Sequence, residues 1–303
     1  MITRVNEDLI VAVNRTLHYY AWFRYPISAA EVHRQCEFKC ERVEIEEHLE
    51  ELAAIGKVYS YQGYYALLPE IKTLLAERLA GNEAAVQETI QARKTGRFIY
   101  NFPFVRFVGI SGSLSKGIVT PNSDFDFFIV TAKNRLWICR TLLHLFKKLT
   151  FLVGRQHHYC MNYFIDETEM ALSETNIYTA TELYSLIPVA GVNHYEMLMD
   201  NNQWHSLILP NSNAYPRDTR NITKKNNPIK TSLEWTMDHL QPVYWNKLLM
   251  KLTDWKWRRK WSAVGYPQED YELAFKTTLH ISKNHPYNYQ KRILTQLESI
   301  LIC

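Results

Sequence analysis

Residues 108–131, VGISGSLSKGIVTPNSDFDFFIVT, limit what this chain can fold into more than any other stretch. They read as an apolar strand, a tight Gly112-Ser113 turn, a short helix, and a second strand carrying Asp124 and Asp126. Period two places both carboxylates on one face of that strand, with Phe125 and Phe127 turned the other way into a core. Two carboxylates on one face are costly unless a cation neutralises them. Mg2+ does this while also holding phosphate oxygens. The Gly-Ser turn and the helix start after it bring backbone N–H groups to the opposite side of a triphosphate. Metal on one side and N–H donors on the other is what phosphoryl-type transfer requires.

The flanking residues extend the pattern. A strand at 104–109, a short helix, a strand at 125–130, a helix at 135–153 and a strand at 159–165 make a mixed α/β unit over 98–190. Its helices are able to cover a small sheet. A further helix over 179–186 is stopped by Pro188.

The run GSLSKGIVTPNSDFD resembles, without a gap, the G-S…S-D-x-D signature of nucleotidyltransferases with the DNA polymerase β-type fold. Gly117 and Ser123 fall where minimal members of that superfamily commonly have Gly and Ser. The resemblance is strong over about 104–170 and weaker outside it. It implies Mg2+-dependent (or Mn2+-dependent) transfer of a nucleoside monophosphate from a nucleoside triphosphate to an acceptor, with release of pyrophosphate. By the same resemblance Asp124 and Asp126 would be catalytic metal ligands. Gly112 and Ser113 would cradle the β- and γ-phosphates. Lys116 would lie near the phosphates or on a solvent-facing helix side, and Ser123 would cap and orient the turn.

Enzymes of this superfamily usually carry a third acid on a neighbouring strand. The matching strand here is YCMNYFI, 159–165, and the aligned position is Asn162, a neutral ligand. Asp166 shares its face by parity but lies about 13 Å further along at strand rise. Asp166 is the remaining candidate for the third catalytic carboxylate, provided the strand bends or the register differs. A nucleotide-binding protein with weak or no catalysis, acting through a partner, is the alternative that Asn162 raises.

Residues 1–68 read as three helices and a hairpin. A run with Val5, Leu9, Val13 and Leu17 at helical spacing is broken at Tyr25-Pro26, and Ser28 with Glu31 fits a capping box. A third helix covers 41–55, ending at Gly56, and a Gln62-Gly63 turn joins two short strands. That order, and the stretch 25–68, resemble the winged-helix modules attached to some nucleotidyltransferases. The third helix, however, carries six acids (Glu41, Glu44, Glu46, Glu47, Glu50, Glu51) against Arg42 alone. Such a face repels phosphates, so duplex DNA is disfavoured as a partner.

Residues 69–97 form a helical connector, and 191–303 a mainly helical region with an exposed loop at 211–230, rich in Asn, Pro and charge. Six of eight tryptophans fall within 204–261, and 205–261 hold eleven Lys/Arg against four Asp/Glu. Trp257 and Trp261 share a helix face, which favours core packing with a solvated basic side over base stacking. The acceptor stays open between small molecule, protein and RNA.

Composition excludes more than it names. At 47% hydrophobic and 22% charged residues the 303-residue chain is expected to fold, in two or three packed units. No apolar run reaches the roughly 18 residues of a membrane span, and the N-terminus lacks a secretory-signal pattern. Five cysteines make no even disulfide framework, so a cytoplasmic setting is expected. His33, Cys36 and Cys40 have zinc-like helical spacing without a fourth ligand, and His157-His158 point to opposite faces of a strand.

Overall fold

The computed structural model describes residues 7–120, 124–154, 156–214, 222 and 227–300. The protein is a mixed α+β molecule, with two sheets among the described residues. Ser123, and most of the expected loop at 211–230, lie outside the described residues. No helix among the described residues is long and apolar enough to cross a membrane.

The N-terminal elements are α1 (Glu7–Ala21), β1 (Ile27–Ser28), α2 (Ala29–Gln35), α3 (Arg42–Ala54), β2 (Tyr59–Tyr61) and β3 (Tyr64–Ala66). Local chemistry explains the boundaries. Ser28 caps α2 with the reciprocal Glu31 bond of a capping box. Gly56, at φ +75°, ends α3, its N–H donating to the Ala53 carbonyl while the Lys57 N–H donates to that of Leu52. Gln62 and Gly63, both at positive φ, turn the chain between β2 and β3. The three strands form one antiparallel sheet in the order β1-β3-β2. On α3 the inward residues Ile45, Leu49 and Leu52 are buried, while Glu41, Glu44, Glu47, Glu50 and Glu51 are exposed.

The 30-residue α4 (Ile71–Tyr100) leads to the main sheet. There follow β4 (Val105–Ser111), α5 (Gly112–Ser115), β5 (Asp126–Thr131), α6 (Leu136–Thr150), β6 (Cys160–Asp166), α7 (Ile177–Ser185), β7 (Ile187–Ala190), α8 (Val192–Asp200) and α9 (His205–Ile208). The C-terminal part adds α10 (Pro228–Asp238), α11 (Pro242–Ala263), α12 (Gln268–Ala274), β8 (Phe275–Thr277), β9 (Ile281–Asn284) and α13 (Tyr289–Ser299). The six strands run β7-β4-β5-β6-β9-β8, antiparallel throughout except for the parallel β5–β6 pair. Alternation divides the sheet between two cores. Val108, Ile110, Phe127 and Ile129 pack with Ala92 and Ile99 of α4 and Trp137 and Leu143 of α6. Phe107, Phe128 and Val130 pack with Leu183 of α7 and Leu198 of α8.

The expected helical run beyond residue 233 is interrupted by β8 and β9. These strands are three and four residues long, and their polar residues hide the alternation. In β9 both Ser282 and Lys283 are buried, the Lys283 ammonium donating to Glu174 Oε2 at 2.7 Å and Gln290 Oε1 at 2.9 Å. Trp257 and Trp261 pack on Phe275, with ring centroids 6.0 and 4.8 Å apart. Trp235, Trp245 and Trp255 are exposed instead.

The N-terminal elements are not a detached unit. Their core continues through Ile177 and Ala180 of α7 into Ile293 and Leu297 of α13. A second tie is Arg78 of α4, buried between the rings of Tyr25 and Tyr64 at 4.3 and 4.6 Å. Its guanidinium donates to both Glu31 oxygens, at 2.9 and 2.7 Å, and to the Pro26 carbonyl. Burial alone would raise the Glu31 pKa, but the Arg78 and Ser28 bonds outweigh it and hold the carboxyl below its ordinary 4.5. A depressed folded-state pKa means the stabilisation is complete above the unfolded value and is lost as pH falls through the folded one. Glu31→Gln is therefore expected to lower stability at pH 7 by about 1.5–3 kcal/mol. In denaturant titrations the gap to wild type should close as pH falls below 4.5; a gap that stays constant into acid would count against this account.

Candidate functional site

The site forms where β4 hands over to α5 and β5 begins. Ser111 pairs with Asp126 across the antiparallel β4–β5 ladder, so the end of one strand and the start of the other coincide. The chain must then turn sharply beside the Asp126 carboxylate. Gly112 permits this: its φ is +67°, and a Cβ built there would lie 2.5 Å from Asp126 Oδ2. Any side chain at residue 112 would occupy the carboxylate's position. Ser113 follows in the first turn of α5, whose leading N–H groups have no intrahelical acceptor.

Asp124 sits just outside β5. The backbone around it is pinned to the segment before β6, Phe125 N–H donating to the His157 carbonyl and Cys160 N–H to the Phe125 carbonyl, each at 3.1 Å. This pinning carries His157 Nδ1 to 2.6 Å from Asp124 Oδ1. Both side chains are open to solvent. His158 is turned away and stacks on Phe125, ring centroids 4.9 Å apart.

Asp126 lies deeper. Burial pushes its pKa up to about 7; the Cys160 thiol lowers it by hydrogen bonding, and the charges of Asp124 and Glu182 raise it again. Asn162 Nδ2 donates to Asp126 Oδ1 at 3.0 Å. Asn162 is brought there by a bulge: Phe127 faces Met161 and Phe128 faces Tyr163, leaving Asn162 as the extra residue. The aligned neutral residue thus stands beside Asp126.

Asp166 does not. It pairs with Thr131 at the opposite end of β5, roughly 16 Å from Asp126 at strand rise. Its side chain is fully buried and its oxygens accept from the N–H groups of Asn134 and Thr168, both at 2.9 Å, and from the Thr168 hydroxyl. The His280 ring adds a contact at 2.8 Å. Asp166 anchors the loop after β5 and is not part of a triad with Asp124 and Asp126. The strand neither bends nor shifts enough to bring it in.

Lys116 is neither solvent-facing nor pointed away. Its side chain is 6% exposed, and Nζ donates to Glu182 Oε1 at 2.7 Å and to the Gly112 carbonyl at 3.1 Å. It ties the turn to α7. Two neighbours of the carboxylates, His157 and Glu182, were not among the residues expected from sequence. Glu182 falls within the helix expected to support the sheet, but no local pattern pointed to it. The zinc-like trio has ordinary roles: His33 Nε2 contacts the Cys40 carbonyl at 3.0 Å, and the buried Cys36 and Cys40 thiols hydrogen-bond to each other.

The donor set suits a hard cation. Asp124 and Asp126 offer carboxylate oxygens, and Mg2+ takes only one or two carboxylates from a protein beside water and phosphate oxygens. A divalent charge would offset both the burial and the mutual repulsion that raise the Asp126 pKa. Among the described residues no three His, Cys, Asp or Glu side chains form a cation-holding group, so the pair is the whole of the acidic ligand set seen here.

Gly112→Ala is expected to destabilise the protein by about 1–3 kcal/mol through left-handed backbone strain and the clash with Asp126. Asp126→Ala in the same chain should recover the clash portion and leave the strain. Equilibrium unfolding of the two single variants and the double variant measures that coupling; strictly additive effects would show that the two residues do not meet.

Comparisons with family models, curated proteins and solved structures found no match to this chain.

Proposed function

We propose that this chain is a Mg2+-dependent nucleotidyltransferase, moving a nucleoside monophosphate from a nucleoside triphosphate to an acceptor. The observation that carries the reading is the meeting of Gly112 with Asp126. The phosphate-cradling turn and the carboxylate pair, twelve residues apart in sequence, share one end of the β4–β5 ladder. The order of elements, with a capped α2, an acidic α3 and a short hairpin before the main sheet, also fits a winged-helix module joined to a nucleotidyltransferase fold. The exposed acids of α3 support a docking role for that module over duplex reading.

Asp124 and Asp126 would hold the Mg2+, which when bound neutralises triphosphate charge and stabilises the departing pyrophosphate. The N–H groups of Gly112 and Ser113 and the Ser113 hydroxyl would bind β- and γ-phosphate oxygens opposite the carboxylates. An acceptor oxygen then attacks the α-phosphorus, the bond to the β-phosphate oxygen breaks, and pyrophosphate leaves. The acceptor proton needs a base. Asn162 cannot take it, and Asp166 is too distant. His157 would do so: with Nδ1 against Asp124, its Nε2 is the ring nitrogen left to take the proton. Asp124 would hold the imidazole in the required tautomer.

A second reading rests on Asn162. With an amide bonded to Asp126 where an acid is usual, the chain would bind nucleotide and metal and act through a partner with little or no transfer.

Incubation with α-labelled nucleoside triphosphates, Mg2+ or Mn2+ and cell extract tests both. Label transfer is expected in wild type and is expected to vanish in Asp124→Asn plus Asp126→Asn. His157→Gln should slow transfer by roughly a hundredfold while leaving Mg2+-nucleotide binding intact. Transfer that persists without both aspartates would overturn the site. Saturable metal-dependent binding with no turnover on any acceptor would decide for the second reading.

A further inference from the structure

A cavity of about 360 Å3 opens where the N-terminal helices meet the turn after β4. Arg34 of α2, Arg93 of α4 and Lys116 lie in its wall, together with Tyr20, Tyr25 and Tyr184. Its volume is within the roughly 300–1,000 Å3 of small-molecule sites. Only one acidic residue, Glu31, lies in the wall among the described residues. Both Glu31 oxygens are engaged by Arg78 from behind, and Lys116 is paired with Glu182 of α7, so the positive charge facing the cavity comes chiefly from the two arginines. Three cations from three separate elements surround one space, and a guanidinium fork matches phosphate oxygens in paired hydrogen bonds. The tyrosines supply flat apolar faces and hydroxyls suited to a sugar or similar polar body. Lys116 also bonds the Gly112 carbonyl, which places this cavity directly beside the turn of the candidate site.

We propose that the cavity binds a phosphomonoester of small-molecule size, its phosphate held among Arg34, Arg93 and Lys116. As a binding site this stands without any transfer chemistry. Its identification as the acceptor's pocket rests on the nucleotidyltransferase reading, and follows from its position against the turn. The acceptor class is then a phosphorylated small molecule, not a protein or RNA chain.

Calorimetric titration of the full chain with ribose 5-phosphate, in EDTA and without nucleotide, tests the site. Saturable binding at one site per chain is expected, with unphosphorylated ribose failing to bind. Arg34→Gln plus Arg93→Gln should weaken it by roughly ten- to hundredfold, the loss of charge-assisted hydrogen bonds. Ser185→Phe, which fills the cavity from the end of α7 and leaves the charged groups in place, should weaken it as well. It keeps the test decisive if the arginine variant does not fold. Asp124→Asn plus Asp126→Asn should leave ribose 5-phosphate binding unchanged while abolishing Mg2+-ATP binding. No binding by wild type, equal binding of ribose, or binding indifferent to Ser185→Phe would overturn the proposal. Failure of wild type to bind any of the Mg2+-nucleoside triphosphates, with ribose 5-phosphate binding intact, would instead overturn the nucleotidyltransferase reading alone.

Discussion

The pairing of Ser111 with Asp126 is the constraint on which the rest of the site depends. It puts a carboxylate against a backbone turn so closely that only glycine can occupy residue 112. Everything that follows adapts to that contact. Lys116 bonds the Gly112 carbonyl and Glu182, fixing the turn against α7. The β5–β6 register then decides which residues reach Asp126 from the far side. Cys160 pairs directly with Asp126 and sets its thiol beside it, the bulge at Asn162 adds an amide, and straight pairing beyond carries Asp166 to the other end. A sheet in which this one pair slipped by a residue would turn Asp126 into the core under α4 and α6 and put Phe127 on the face the carboxylate now holds.

Much of this was legible in sequence because it is local. The capping box of Ser28 and Glu31, the Gln62-Gly63 turn, the inward phenylalanines at 125 and 127, and the twelve-residue spacing from turn to carboxylates each depend on neighbours within a short stretch. What was not legible depends on distant packing. His157 reaches Asp124 only because the segment before β6 is hydrogen-bonded to the segment before β5. Glu182 arrives on a helix whose own pattern says only that it is amphipathic. The strands β8 and β9 were read as helix because a buried lysine in β9 disguises a core strand as a polar segment. The burial of Lys283 makes sense once Glu174 and Gln290 are beside it, and neither is adjacent in sequence.

The modest net charge of +4 conceals how unevenly charge is placed. On α3 the acids face solvent, where they repel polyanions. Around the cavity beneath α2 the lining is different: Glu31 is engaged by Arg78, Lys116 by Glu182, and Arg34 and Arg93 lie in the wall. If the proposed site holds, an anion is discouraged from the outer face of the N-terminal elements and favoured at the junction they form with the main sheet. That polarity suits a module that shapes a pocket more than one that reads a nucleic acid. The N-terminal elements also share an apolar core with α7 and α13.

If the chain is a nucleotidyltransferase, the neutral residue beside Asp126 is less damaging to catalysis than its position suggests. A third acid in such a site has two tasks, to add negative charge for the cation and to accept a proton from the attacking oxygen. On that reading Asp124 and Asp126 would supply the two carboxylates that Mg2+ commonly takes from a protein, with phosphate oxygens and water completing its shell. Further charge here would add to the repulsion that raises the Asp126 pKa. The proton is the harder task. On the nucleotidyltransferase reading His157, held by Asp124 and open to solvent, would be a base that adds no negative charge of its own. A site built this way divides between an imidazole and a carboxylate pair the work that three carboxylates would otherwise share.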